Sequence, residues 1–443
     1  MARPVSSDSP AATGARGALN RFGSATFSSL KNPNYRLYFI GQLVSLTGTW
    51  MQGVAQAWLV LELTGSAAML GIVTAVQFLP VLALAPYGGL IADRFSKRRL
   101  LLITQSAAAV LALTLGTLVA THTVTLWMVF VLALGLGVIN ALDNPTRQSF
   151  IHEMVGGEDL RNAVTLNAIV VNVSRVIGPA LAGVIIAWLG LALCFLLNGL
   201  SFVAVIACLA LMTGSALHRS EPVKAAKGQL REGFAYVRDT PVLRDTLVVM
   251  AIVGTLTFEF QVTLPALARF TFHGQASVLA SLMAAMGVGA VIGGLAVAGR
   301  RTVHRSSLVL ASFAFGASVL LVALAPSLPL AIAGMVLVGA CSTPFTSLTN
   351  AILQSRAEGR MRGRVMSLWT VAFLGSTLVG APIVGFVAQR WDPRWGLAVG
   401  GCAALVAGAY GLYRLRAAPS PTAAHSPVAE PPLPTATIAQ REE

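Results

Sequence analysis

Apolar residues run through this chain in twelve long blocks separated by short polar joints. The blocks read as helices over about Leu37–Leu61, Ala68–Ala92, Leu100–Ala120, Leu126–Leu142, Ala163–Ala187 and Ala192–Met212. They continue over Thr246–Phe270, Val278–Ala298, Ser307–Ala325, Leu328–Gln354, Val365–Gln389 and Trp395–Tyr413. Most are apolar for roughly 20 residues, the length that crosses a hydrocarbon layer about 30 Å thick. A membrane β-barrel would alternate polar and apolar positions with period two instead. The pattern predicts an all-α polytopic membrane protein.

The polar joints divide the chain. Residues 1–34 read as a disordered cytoplasmic arm, 35–212 as one six-helix bundle, 213–245 as a linker, 246–416 as a second six-helix bundle, and 417–443 as a disordered tail rich in Pro, Ala and Thr. Within the linker, Gln229–Asp245 sets Leu230, Phe234 and Val237 at helical spacing among charges. That predicts an amphipathic helix on the membrane surface.

Composition narrows the class. Of 443 residues, 55% are hydrophobic and 11% charged, with mean hydropathy +0.74. A soluble domain carries about 25% charged residues, so this chain lacks a soluble surface. The formal charge of +14 could suggest nucleic acid, but its distribution says otherwise. All Lys and Arg except Arg175, Arg269, Arg390 and Arg394 fall in the first arm, in the joints after even-numbered helices, or in the tail. Cytoplasmic segments collect Lys and Arg. The pattern predicts a multi-pass cell-membrane protein with both termini cytoplasmic, its bases facing anionic lipid, with no nucleic-acid partner. It is expected to work as a monomer.

Several chemistries find no motif. Cys194, Cys208, Cys341 and Cys402 lie in apolar runs without metal or disulfide spacing and read as packing residues. No phosphate-binding GxxxxGK[ST] loop, zinc spacing or Ser/His/Asp arrangement stands out, so an enzyme is not expected, nor a cofactor other than an ion gradient. Gly287, Gly289 and Gly293 sit in an apolar helix with no preceding strand and read as close helix packing.

The joint from Gly88 to Arg99 carries the most specific signal. Gly89, Asp93, Arg94, Lys97 and Arg98 resemble the Gly-x-x-x-Asp-Arg-x-Gly-Arg-Arg loop between helices 2 and 3 of the major facilitator superfamily, with Ser96 in place of its Gly. An internal repeat agrees with that resemblance. Asn144-Pro145, Leu160–Val164, Gly178-Pro179 and Gly183 recur some 200 residues later as Thr343-Pro344, Met361–Val365, Ala381-Pro382 and Gly385. The resemblance implies two pseudo-symmetric six-helix bundles with substrate at the midplane between them. It also implies that Asp93 braces the cytoplasmic side against the start of helix 11, where Arg362 and Arg364 flank a helix amino end. Asp93→Asn is expected to leave folding intact and slow state switching; transport at the wild-type rate would remove Asp93 from the gate.

Ionisable groups inside spans default to functional candidates. Glu259, flanked by Phe258, Phe260 and Gln261, lies near the middle of helix 7. It reads either as a proton carrier or as a hydrogen-bonded structural acid, with Gln261 beside it as a substrate contact. Arg175 in helix 5 reads as a contact for a substrate carboxylate or catecholate, or as half of a structural ion pair, with Asp143 one possible partner. Asp143 and Arg147, one helical turn apart, read as a gate pair or a solvated pair. Gly178, Pro179 and Gly183 resemble the antiporter motif of the superfamily's exporters, and physically allow bending and close approach. Asp143–Gln148 and Phe258–Val262 resemble the branch containing the enterobactin exporter and macrolide efflux proteins, which often has Asn where this chain has Glu259. Trp50, Trp58, Phe78, Phe258 and Trp369 are candidate cavity aromatics, or core packing.

The leading expectation is proton-driven export of a hydrophobic or amphiphilic small molecule such as a drug, antibiotic or siderophore. Movement of a lysolipid or similar amphiphile is the alternative. A non-transporting membrane sensor is the third reading.

Overall fold

The computed structural model describes residues 28–156, 159–213, 229–298 and 304–417, with the side chains of 85–94, 161, 229–231 and 298 outside that description. Most of the expected arm and tail lies outside the described residues, as do the surroundings of Gly89 and the side chains of Asp93 and Arg94. The first six long helices are α1 (Pro33–Thr64), α2 (Ala67–Arg94), α3 (Lys97–Ala120), α4 (Leu126–Val155), α5 (Leu160–Leu189) and α6 (Leu191–Leu211). A short helix α7 (Gln229–Asp239) follows. The seventh crossing is α8 (Pro241–Leu256) continued by α9 (Phe260–Ala266) and a π-helical turn, Leu267–Thr271. Next come α10 (Ala276–Ala298), α11 (Arg305–Ala323) and α12 (Leu328–Arg356). The eleventh crossing is α13 (Arg362–Thr370), a π-turn at Val371–Gly375, and α14 (Thr377–Arg390), and α15 (Pro393–Arg416) closes the fold.

Eleven of these crossings are long and apolar enough to span a membrane. The twelfth, α1, has ample length at 32 residues but carries three glutamines. Each is held inside the bundle. Gln42 Oε1 accepts from Arg147 Nη1 at 3.0 Å, Gln52 Oε1 from Asn198 Nδ2 at 2.7 Å, and Gln56 Nε2 donates to Gln77 Oε1 at 2.9 Å. Polar groups paired this way escape the penalty of unpaired burial in hydrocarbon. Thus α1 is polar because it forms the middle of its bundle, against α5 and α6.

Two of the expected helices are not continuous. The seventh breaks at Thr257–Glu259, where Glu259 leaves helical geometry (φ −79°, ψ 38°) and its carbonyl starts α9 by accepting from Val262 and Thr263. The Thr257 hydroxyl donates to the Gly400 carbonyl of α15 at 2.7 Å, tying the break to its neighbour. The eleventh widens into its π-turn at Val371–Gly375.

The α2–α3 joint marks what is termed the basic end of the bundle. The two sets of six crossings touch from mid-depth to the opposite, far end. There Ala67 N donates to Gln389 Oε1 at 2.8 Å, and Arg269 lies over the Trp58 ring at 5.3 Å. Glycines allow the approach. A methyl on Gly183 would come within 2.6 Å of Ala280 Cβ, and one on Gly287 within 2.8 Å of Val176 Cγ2. Toward the basic end, the glycines of α10 turn to their own half instead. Gly289 and Gly293 meet Val336 and Ala340 of α12, where a side chain would strike backbone carbonyls. Among the described residues, every ion pair at the basic end lies within one half, within α7, or between a half and α7.

Candidate functional site

At the basic end the first half holds a buried polar network. Asp143, 1% exposed, accepts on Oδ1 from Thr104 Oγ1 at 2.7 Å and Gln105 Nε2 at 2.8 Å, and on Oδ2 from Arg147. Arg147 then reaches Gln42 on α1. The network joins α1, α3 and α4. Asp143 pairs with Arg147 and not with Arg175. Lys97 of the signature joint is buried, 2.6 Å from Glu153 Oε1 on α4. Arg98 donates to the last carbonyls of α6, Leu209 at 2.7 Å and Ala210 at 2.8 Å. Both bases therefore fasten α3 to helices of their own half.

In the second half, Arg364 pairs with Glu232 of α7 at 2.6 Å, while Arg362 is exposed. Glu358 N donates to the Tyr236 hydroxyl at 3.2 Å, and Val237 is buried with Leu353, Ala357 and Val365. Phe234, expected on the same apolar face, is exposed. So α7 is held against the start of α13, the element the signature joint is expected to meet. Across the same end, Asp245 is bound by Arg305 at 3.0 Å, Arg414 at 3.1 Å and the Tyr410 hydroxyl at 3.2 Å.

Two ionisable side chains sit at mid-depth. Glu259, 2% exposed, occupies the break between α8 and α9. Thr377 hydrogen-bonds its carboxyl. Its Oε1 has no partner among the described residues, and faces Gly380, where any side chain would collide with the Thr255 carbonyl. No cation is paired with Glu259 among the described residues. Gln261 points to an exposed surface. Arg175 lies at the middle of α5, its guanidinium 5.1 Å from the Trp50 ring centroid. Gly178 brings α5 against Trp50 and Thr47 of α1, and Gly183 brings it against α10. Gly178-Pro179-x-x-x-Gly183 thus seats α5 on both neighbours within one continuous helix.

The candidate aromatics separate. Trp58, 3% exposed, donates to Glu62 Oε1 at 2.8 Å and lies under Arg269 at the far end. Phe258 stacks among Phe315 (5.0 Å), Phe373 (5.1 Å) and Phe345 (6.4 Å), two of which are fully buried. Trp369 packs on Phe373 at 5.3 Å, its indole Nε1 buried without a partner among the described residues. Phe78 is half-buried on α2. Thr104, Gln105, Thr377 and Gly380 were not singled out from the sequence. The adjacent polar pair Thr104-Gln105 inside an apolar run was the available signal.

Two bundles of apolar membrane-length helices that meet from mid-depth to the far end, with ionisable groups buried at mid-depth, have the architecture of a multi-pass membrane transporter. The family model described as transmembrane secretion effector matches residues 24–442, so the chain belongs to that family of the major facilitator superfamily. It is 26% identical over 350 residues to the staphyloferrin A transporter of Staphylococcus aureus, covering 75% of this chain and 84% of that one. It is 28% identical over 366 residues to the multidrug efflux pump Tap of Mycolicibacterium fortuitum (79% and 87%). It is 24% identical over 398 residues to the enterobactin exporter EntS of Citrobacter koseri (85% and 90%). Among solved structures, the inward-facing, unoccupied bacterial homologue of the human lysosomal transporter Spinster superposes with TM-score 0.68 at 14% identity, over 87% of this chain and 97% of that one. The fold is therefore the major facilitator fold.

Proposed function

We propose that this chain exports hydrophobic or amphiphilic small molecules by proton antiport and alternating access, with its basic end and both termini in the cytoplasm. The relatives named above move siderophores or drugs. The observation that carries the coupling is Glu259: a buried mid-depth acid that, among the described residues, has no paired cation and one unbonded oxygen, set in a helix break. An acid held by no fixed positive charge is free to take up and release a proton as the halves rock. The far-end contacts support an arrangement whose cleft opens toward the basic end, from which cytoplasmic substrate enters. The basic segments then lie against anionic lipid.

Everted vesicles holding a pH gradient test this. Adding a relative's substrate class, a siderophore or a drug, is expected to release protons in proportion to its uptake. Uptake without proton movement would refute the antiport. Scrambling of labelled lysolipid without uptake of either would refute small-molecule export.

A further inference from the structure

The two faces of α5 differ in kind. Ile177, Leu181, Val184 and Trp188 are exposed and apolar, and recur along one side of the helix, which is the side that meets lipid. Val164, Thr165 and Ala168 are also exposed, and they lead through Asn172 to Arg175 on a stripe well away from the first. This second stripe is exposed near the basic end, carries polar groups, and becomes half-buried at Asn172 and Arg175. It suits the wall of a cleft that reaches as deep as Arg175. At the level of Arg175 itself α5 meets the other half, where Gly287 packs on Val176 and on the Arg175 carbonyl.

Among the described residues no acid is paired with Arg175. The described acids of its half are engaged elsewhere: Glu62 with Trp58, Asp143 with Arg147, Glu153 with Lys97, and Asp159 with Ser28. Arg175 Nε is buried without a hydrogen-bond partner. Behind the guanidinium stands the Trp50 ring, which supports a cation and adds a flat apolar surface. A guanidinium stays charged and offers a planar fork of donors that fits a carboxylate. Leaving it unpaired at mid-membrane is costly, and a ligand that pairs with it removes that cost.

We infer that Arg175, backed by Trp50, is the anchor for an anionic oxygen group of the transported molecule, so that the preferred substrates are amphiphilic acids rather than amphiphilic cations. This inference rests on the export reading above. It narrows the substrate class to molecules with a carboxylate or equivalent oxyanion beside an aromatic or aliphatic body.

A matched probe set tests it. One fluorescent acyl body is prepared with a carboxylate, a primary amide or a trimethylammonium head. Expulsion from cells and binding to the purified full chain in nanodiscs are measured for each. The carboxylate is expected to bind about tenfold or more tighter than the amide, the range for a charged hydrogen bond. Arg175→Gln should erase that preference, Arg175→Lys should keep part of it, and Trp50→Leu should reduce it several-fold. If Arg175→Gln does not fold, the wild-type ranking and Trp50→Leu still decide. A carboxylate that binds no tighter than the amide overturns the anchor, as does a preference that survives Arg175→Gln. Equal expulsion of all three heads removes the anchor and leaves export standing. Expulsion of none removes both.

Discussion

Replacing Glu259 by Gln is expected to yield a folded protein in which export no longer follows the proton gradient. Gln keeps the size of the side chain and can keep the bond with Thr377, so α8, α9 and Gly380 retain their places. What it loses is a proton that can be released and regained. Uphill export should fall on the order of 100-fold, as when an obligatory proton-transfer group is removed. Downhill exchange of substrate should persist, and the pH dependence of transport should flatten. Glu259→Asp should restore part of the coupling, because the titrating group remains. Export unchanged across pH in the Gln variant would reduce Glu259 to a structural acid. Reconstituted vesicles with and without an imposed gradient separate these outcomes.

The second large effect is on stability. Asp143→Ala is expected to cost about 3–5 kcal/mol, the range for removing one partner of a buried ion pair. Three groups lose their acceptor or counter-charge together: Arg147, Thr104 and Gln105. Gln42 loses the firm placement of its donor, Arg147. The loss should appear as a fall in the thermal midpoint of the purified protein in detergent. Adding Arg147→Met to Asp143→Ala should recover much of it, since the stranded charge is then gone. If the double variant is as unstable as the single one, the cost comes from the lost helix contacts and not from the charge. If both are as stable as wild type, the network is dispensable for folding and its role lies in gating.

The fold was largely legible in the sequence because hydrocarbon imposes a coarse rule. Twelve apolar runs, alternate basic joints and an offset of some 200 residues were enough to give two six-helix bundles. The exceptions have physical causes. Glutamines lowered the hydropathy of α1 because their partners sit on other helices, which one-dimensional pattern cannot show. The break at Thr257–Glu259 was hidden because apolar residues surround it and the hydroxyl that steadies it reaches α15. Candidate residues were found by type more readily than by partner. Asp143, Arg147, Arg175 and Glu259 stand out as charges in apolar runs, but that Asp143 belongs to Arg147, and Arg175 to none of the described acids, follows only from the packing.

The interruptions in the helices are unevenly shared. In the second half, the seventh crossing has both a break and a π-turn, and the eleventh has a π-turn of its own. Their first-half counterparts, α1 and α5, run unbroken for 32 and 30 residues. Stiffness is therefore lopsided. A load applied between the bundles would be taken up as bending in the later half while the earlier one turned as a strut. If the halves rock as proposed, a compound wedged beside Thr257–Glu259 would stall export by splinting the most compliant joint.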